Sequence, residues 1–132
     1  MKKIITLLAL LTGFVVANEL QWEKDIQTAY LKAQESNKTV MIYVETANCP
    51  WCRKMKYKTL AHDDVFEKLQ NYVIVRTMKN SNEAQKYGLK VTYVPTIFFF
   101  SPQKELYEKT VGYFNVQDFL SWISDVEKKA NK

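Results

Sequence analysis

Two cysteines three residues apart have the clearest capacity for chemistry in this sequence. They form the segment Cys49-Pro50-Trp51-Cys52, and the 132-residue chain contains no further cysteine. Sulfurs at positions i and i+3 of a helix start lie close enough to form a disulfide. The N–H groups of the helix N-terminus stabilise a thiolate at the first position, and the basic residues Arg53, Lys54 and Lys56 add positive potential. One attacking sulfur and one releasing sulfur are the minimum for thiol–disulfide exchange.

Other uses of the cysteine pair remain open at this point. A structural disulfide across four residues constrains the unfolded chain little, because loop entropy grows with loop length. A zinc site needs four ligands, and beyond the cysteines only His62 is a soft candidate. Haem attachment requires histidine directly after the second cysteine, where Arg53 stands. A Cu(I) site from Cys49, Cys52 and Met55 is a further alternative, since these soft ligands share a helix face.

A second signal is Pro95, which follows Val94 and precedes a phenylalanine-rich run. A proline at the start of a buried strand is unusual, because it removes one backbone donor from the sheet. A cis Val94–Pro95 peptide bond, which turns the chain sharply, would account for its position. A trans proline that merely opens the strand is the alternative.

Hydrophobic periodicity predicts alternating helices and strands around these two motifs. The predicted elements, in chain order, are a helix over Asp25–Ser36, a buried strand over Thr39–Glu45, a helix from Cys49 to about Leu60, a helical turn capped by Asp63-Asp64 that runs through Asn71, a strand over Tyr72–Met78, a helix over Ser81–Tyr87, strands over Thr96–Ser101 and Leu106–Val111, and a final helix capped by Asn115. This order predicts an α/β protein whose sheet has a parallel core, an antiparallel terminal hairpin and helices on both faces.

Composition and the N-terminal segment indicate the class of protein and where in the cell it acts. A chain that is 47% hydrophobic and 25% charged is typical of one globular domain. The net charge of +5 is spread along the chain and includes Lys2 and Lys3, so it does not indicate a nucleic-acid partner. Residues 1–17 join these lysines to an apolar run too short to span a bilayer. We therefore expect a signal peptide over 1–17 and an exported domain over 18–132, without stable membrane insertion after cleavage. An uncleaved anchor and a buried helix of a cytosolic protein are the alternatives.

Three sequence motifs together indicate a family. With CPWC after TVMIYVE, VPTIFFF after YGLK, and VGYFNVQDFLSWI near the end, the sequence resembles the thioredoxin family. The likeness covers residues 19–130, and within the family the chain is similar to exported, SoxW-like thioredoxin-related proteins. The resemblance implies a thioredoxin fold, with a mixed central sheet and helices on both faces. It also implies thiol–disulfide oxidoreductase activity without a metal or other cofactor.

The resemblance assigns roles to residues near the cysteines. Cys49 would be the attacking thiol, Cys52 the resolving thiol, and Pro95 a cis-proline that faces them. The residues that would contact a substrate are Pro50, Trp51, Val94 and Pro95, with Val94 offering its backbone to an extended segment.

The chain also departs from the pattern of the family. Asn48 stands where tryptophan usually precedes the first cysteine, and Tyr43 stands where a buried acid is usual. Glu45, two residues further on and on the same strand face, is then the candidate proton acceptor for Cys52. A strand-end carboxylate that reaches solvent is the alternative for Glu45.

The expected direction of electron flow is reduction of client disulfides. Strong oxidants of the family usually carry histidine where this chain has Trp51, and too few residues separate Cys52 from Pro95 for an inserted helical domain. We therefore expect a monomeric, periplasmic protein-disulfide reductase. Its partners would be disulfide-containing client proteins and a membrane thiol electron donor. A thiol–disulfide oxidase and a Cu(I) or thiol-metal carrier on the same fold are the alternatives.

Overall fold

Five strands form one mixed sheet in the computed structural model, which describes residue 13 and residues 18–132. The strands are β1 (Trp22–Glu23), β2 (Thr39–Glu45), β3 (Tyr72–Met78), β4 (Thr96–Phe100) and β5 (Leu106–Val111). Their spatial order is β1-β3-β2-β4-β5, with β1, β3 and β2 parallel and with β4 and β5 antiparallel to their neighbours. The predicted mixed sheet is therefore confirmed. The predicted signal peptide lies outside the described residues, apart from Gly13.

Helices cover both faces of this sheet. They are α1 (Ile26–Ser36), α2 (Pro50–Lys54), a π-helix (Met55–Leu60), α3 (Asp63–Leu69), α4 (Asn82–Lys86) and α5 (Val116–Ala130). Buried residues of α1 and α4 pack on one face, and those of α2, the π-helix, α3 and α5 pack on the other. Within the described part of the chain, no helix combines the length and apolar character needed to cross a membrane.

The central strand β2 is buried on both faces, as its β-branched and aromatic sequence predicts. Because successive side chains of a strand point to opposite faces, Met41 and Tyr43 join the hydrophobic cluster that contains both cysteines. Ile42 and Val44 join the cluster formed with α1. The same alternation puts Glu45, at the carboxyl end of β2, on the cysteine face.

The structure corrects several element boundaries. The sequence did not predict strand β1. Its two residues are too few to show an alternation of apolar and polar side chains, and they form a strand only by pairing with β3. The cap of α3 is His62, whose Nδ1 accepts from the Asp64 N–H at 3.2 Å, rather than Asp63-Asp64. The helix that begins at Pro50 widens into a π-helix at Met55, and β4 ends at Phe100 rather than at Ser101.

Buried tyrosines make stability sensitive to alkaline pH. Burial raises the pKa values of Tyr30, Tyr43 and Tyr72 above the ordinary value of 10.0. The unfolded chain therefore loses these protons first, so stability is fully present below pH 10 and falls above it. We expect the free energy of unfolding, measured by urea titration, to fall by up to about 1.4 kcal/mol per pH unit for each tyrosine. A Tyr30→Phe variant should show a shallower decline, and an unchanged slope would contradict this assignment.

Candidate active site

The loop after β2 leads directly into the two cysteines, which form a disulfide with Cα atoms 5.2 Å apart. Cys49 is the N-cap of α2 and Pro50 is its first residue, where the missing N–H of proline needs no partner. The backbone N–H of Cys52 donates to Cys49 Sγ at 3.1 Å, an interaction that would strengthen with a Cys49 thiolate. Cys49 is 7% exposed and Cys52 is 2% exposed, so a molecule approaching from solvent reaches Cys49 first.

A polar group lies on the cysteine face of the sheet, at the carboxyl end of β2. The Tyr43 hydroxyl donates to the Cys52 carbonyl oxygen at 2.7 Å. Lys56, in the π-helix, donates from Nζ to Glu45 Oε1 at 2.9 Å, and the two side chains are only 9% and 14% exposed. Burial, and after it the nearby negative charge of Glu45, raises the pKa of Tyr43. Tyr43 and Glu45 therefore lie on one face at the end of β2, with the Cys52 carbonyl oxygen and Lys56 as their respective partners.

Glu45 is thus partly buried and paired with Lys56, rather than a carboxylate that extends freely into solvent. Its second oxygen, Oε2, is buried without a hydrogen-bond partner among the described residues. The sequence indicates Lys56 only as part of the basic segment after the cysteines. Its spacing of four residues from Cys52, which places both on one helix face, is the signal that could have found it.

The Val94–Pro95 peptide bond is cis, and Pro95 is buried immediately before β4. The antiparallel register pairs Val44 with Thr96, so the end of β2 and the start of β4 meet at one edge of the sheet. Val94 packs against the hydrophobic cluster that contains both cysteines. Although they are far apart in sequence, the cysteine loop and the proline segment are therefore neighbours.

Hydrogen bonds hold the proline segment on both sides. The Gly112 N–H donates to the Pro95 carbonyl oxygen at 2.8 Å. The Lys79 ammonium donates to the Thr92 carbonyl oxygen, also at 2.8 Å. These bonds join the segment to the end of β5 and to the residue after β3, so three loops meet beside the disulfide.

An aromatic pair borders the cysteines on the solvent side. Trp51 is 56% exposed, and its ring centroid lies 5.5 Å from that of Tyr113. The Lys54 ammonium lies 5.1 Å from the Trp51 centroid and 4.7 Å from the Tyr113 centroid. Thr59 Oγ1 donates to the Phe114 carbonyl oxygen at 2.7 Å, which fixes the loop that carries Tyr113. Sequence reasoning missed Tyr113, because only the packing of this loop on the π-helix brings it to Trp51.

The structure places the remaining metal candidates in structural positions. Met55, which the copper alternative requires, is fully buried in the same hydrophobic cluster as the cysteines, where its thioether fills the core. His62, the soft candidate for zinc, caps α3. Across residues 18–132, no group of three or more histidine, cysteine, aspartate or glutamate side chains is arranged to hold a metal ion.

Comparison with known proteins agrees with this geometry. The family model described as "Thioredoxin-like domain" matches residues 26–127, which is most of the chain. Mouse anterior gradient protein 3 is 22% identical over 85 residues, which cover 64% of this chain and 52% of that protein. The chain therefore matches about half the length of this relative.

Solved structures show the same fold. A thioredoxin from Thermus thermophilus has a TM-score of 0.74 and 25% identity, over 84% of this chain and 89% of that one. A DsbH oxidoreductase has a TM-score of 0.65 and 19% identity, with 90% and 92% coverage. The C-terminal domain of Neisseria meningitidis DsbD, in its oxidised form, has a TM-score of 0.59 and 19% identity, with 74% and 89% coverage. The chain therefore belongs to the thioredoxin-like family and carries the Cys49–Cys52 pair of a thiol–disulfide oxidoreductase.

Proposed function

We propose that the protein is an exported thiol–disulfide oxidoreductase that reduces disulfides of periplasmic client proteins. The observation that carries this proposal is the Cys49–Cys52 disulfide beside the cis-proline segment. Its more exposed sulfur, that of Cys49, accepts the Cys52 backbone N–H. The signal-peptide pattern of residues 1–17 supports export. The likeness of fold to a DsbH oxidoreductase and to a DsbD domain supports the oxidoreductase part of the proposal.

The proposed reaction has two exchange steps and begins with the reduced protein. The Cys49 thiolate attacks one sulfur of the client disulfide, so that a Cys49–client disulfide forms and the other client sulfur leaves as a thiolate. The Cys52 thiolate then attacks Cys49 Sγ, which releases the second client sulfur and forms the Cys49–Cys52 disulfide. Two electrons pass to the client, and its two thiolates take up two protons.

Glu45 is the proposed acceptor of the Cys52 proton before the second step. It lies on the cysteine face at the end of β2, two residues after Tyr43, whose hydroxyl donates to the Cys52 carbonyl oxygen. Its free oxygen Oε2 supplies an unoccupied acceptor in a buried place. Lys56 holds the other oxygen and keeps the carboxylate oriented. Lys56 is therefore a positioning residue in this scheme.

The proposed client-binding surface is formed by Pro50, Trp51, Val94 and Pro95. Pro50 and Trp51 are exposed beside Cys49, and Val94 is partly exposed above the same hydrophobic cluster. An extended client segment would lie along the backbone of Val94, in the manner of an added strand. The protein would act as a monomer, and a membrane thiol electron donor would reduce the Cys49–Cys52 disulfide after each turnover.

The reduction potential of the Cys49–Cys52 couple tests the direction of electron flow. Equilibration against defined dithiothreitol ratios, followed by alkylation of free thiols, measures it. We expect a value near about −270 mV, which is typical of a thioredoxin-like reductant. A value near about −120 mV would overturn the proposed direction and make the protein an oxidase. A Cys49→Ala/Cys52→Ala variant has no couple and gives the baseline of the alkylation assay.

A further inference from the structure

We propose that the client segments this protein selects are acidic. The recognised element is an extended polypeptide with aspartate or glutamate within about two residues of its disulfide-bonded cysteine. Two residues of extended chain span about 7 Å. Lys54 is the residue that reads this charge. The inference rests on the proposed function, because it concerns the choice of client at the same disulfide.

The charge distribution around the disulfide carries the first part of the argument. The loops that meet there, residues 46–54, 91–95 and 112–114, contain no aspartate or glutamate. Their basic residues are Arg53 and Lys54, and both are exposed. Glu45 lies at the same edge, but Lys56 already pairs with it. A client therefore meets a cationic surface around Cys49.

A lysine outside these loops brings positive charge to the proline segment itself. The Lys79 ammonium donates to the Thr92 carbonyl oxygen at 2.8 Å. Among the ion pairs of the described residues, none involves Lys54 or Lys79. Their charges are therefore not neutralised by a carboxylate of this part of the chain, and they can attract one from a client.

The Lys54 ammonium is held between two aromatic rings beside the disulfide. It lies 5.1 Å and 4.7 Å from the ring centroids of Trp51 and Tyr113, within the range of cation–π attraction. Trp51 directly precedes Cys52 and is largely exposed. The two rings therefore fix a positive charge next to the reactive disulfide and offer apolar surface beside it. A carboxylate near the client cysteine would meet a preorganised partner rather than a mobile side chain.

Exchange with matched peptides tests the inference. Three peptides of one sequence carry glutamate, glutamine or lysine next to a single cysteine, which is linked through a disulfide to nitrothiobenzoate. Cys49 attacks the peptide sulfur and releases the coloured nitrothiobenzoate thiolate, so absorbance reports the second-order rate constant of the reduced protein. We expect the glutamate peptide to react about tenfold faster than the lysine peptide at low ionic strength. The ratio should fall towards one as salt screens the charges.

A pair of charge variants distinguishes the effect of Lys54 from the effect of the protein's overall positive charge. Lys54→Gln should lower the glutamate-to-glutamine rate ratio about threefold, within the range of a single exposed ion pair. Lys128→Gln removes the same charge from an exposed position near the end of α5 and should leave the ratio unchanged.

Equal rates for all three peptides with the native protein would overturn the acidic preference and leave the proposed function intact. Equal effects of the two variants would overturn the role of Lys54. Failure to react with any of the peptides would overturn the proposed function, and this inference with it.

Discussion

Replacing Cys52 with serine should convert the protein from a catalyst into a trap for its clients. The variant retains Cys49, so the first exchange still forms a Cys49–client disulfide. It lacks the resolving sulfur, so this disulfide cannot be released internally. We expect one client to be held per protein and multiple-turnover reduction to fall by about three orders of magnitude or more, as when other catalytic nucleophiles are lost. Non-reducing gels, with mass spectrometry of the adduct, measure the trapped species.

The matched variant Cys49→Ser identifies which sulfur attacks. It retains the less exposed cysteine, so it should neither trap clients nor reduce them. If Cys49→Ser traps clients and Cys52→Ser does not, the two roles are reversed. If Cys52→Ser turns over substrate at the native rate, the two-step scheme is wrong. Thermal unfolding of both variants in the reduced state shows whether either change disturbs the fold instead.

Replacing Lys56 with methionine should destabilise the protein by about 3 kcal/mol, measured by urea unfolding of the oxidised form. Methionine keeps most of the volume of lysine but leaves the Glu45 carboxylate without its partner. That carboxylate is only 14% exposed, and its other oxygen already lacks a hydrogen bond among the described residues. The loss therefore reflects an unpaired buried charge rather than a lost surface contact. Lys128→Met, at an exposed lysine, should change stability by less than about 0.5 kcal/mol.

The double variant Glu45→Gln/Lys56→Met tests whether the two residues act as a pair. Because it removes both charges, it should recover most of the stability lost in Lys56→Met. Glu45→Gln alone should slow the release of the mixed disulfide by about 100-fold, the lower end of the range for general base catalysis. It should leave the rate of its formation by Cys49 unchanged. If formation and release slow equally, Glu45 is not the proton acceptor of Cys52. If the double variant is no more stable than Lys56→Met, the pairing is energetically unimportant.

Local patterns in the sequence were sufficient to predict most of the fold and the elements on which the candidate site residues lie. The two cysteines, the proline at Pro50 and the cap at Asn115 act within one or two helical turns, so their effects are visible in short stretches of chain. The buried strand β2 is also predictable from a short stretch of chain, because a run of seven mostly apolar, β-branched and aromatic residues between helical segments is typical of a buried strand. Alternation of strands and helices then restricts the sheet to a few arrangements, and the mixed sheet is one of them.

Contacts between distant residues could not be predicted in this way. Glu45 and Lys56 lie 11 positions apart on different elements, and they pair because the π-helix packs over the end of β2. Thr59 and Phe114 lie 55 positions apart, and their hydrogen bond brings Tyr113 to Trp51 and Lys54. Strand β1 exists only through its pairing with β3. The partners in these contacts lie on different elements, so the side-chain periods of 2 residues in a strand and 3.6 in a helix do not relate them, and no local pattern indicates them.

The sequence by itself therefore indicated which atoms are the candidates for the chemistry, because two sulfurs three residues apart at a helix start can form a disulfide, as they do here. The tertiary structure decided what surrounds those atoms. Packing of the π-helix on the sheet paired Glu45 with Lys56 on the cysteine face, and the β5–α5 loop placed Tyr113 against Trp51 and the Lys54 charge. The physical reason is that reactivity depends on residue type and local backbone, whereas burial and pairing depend on which distant elements come into contact.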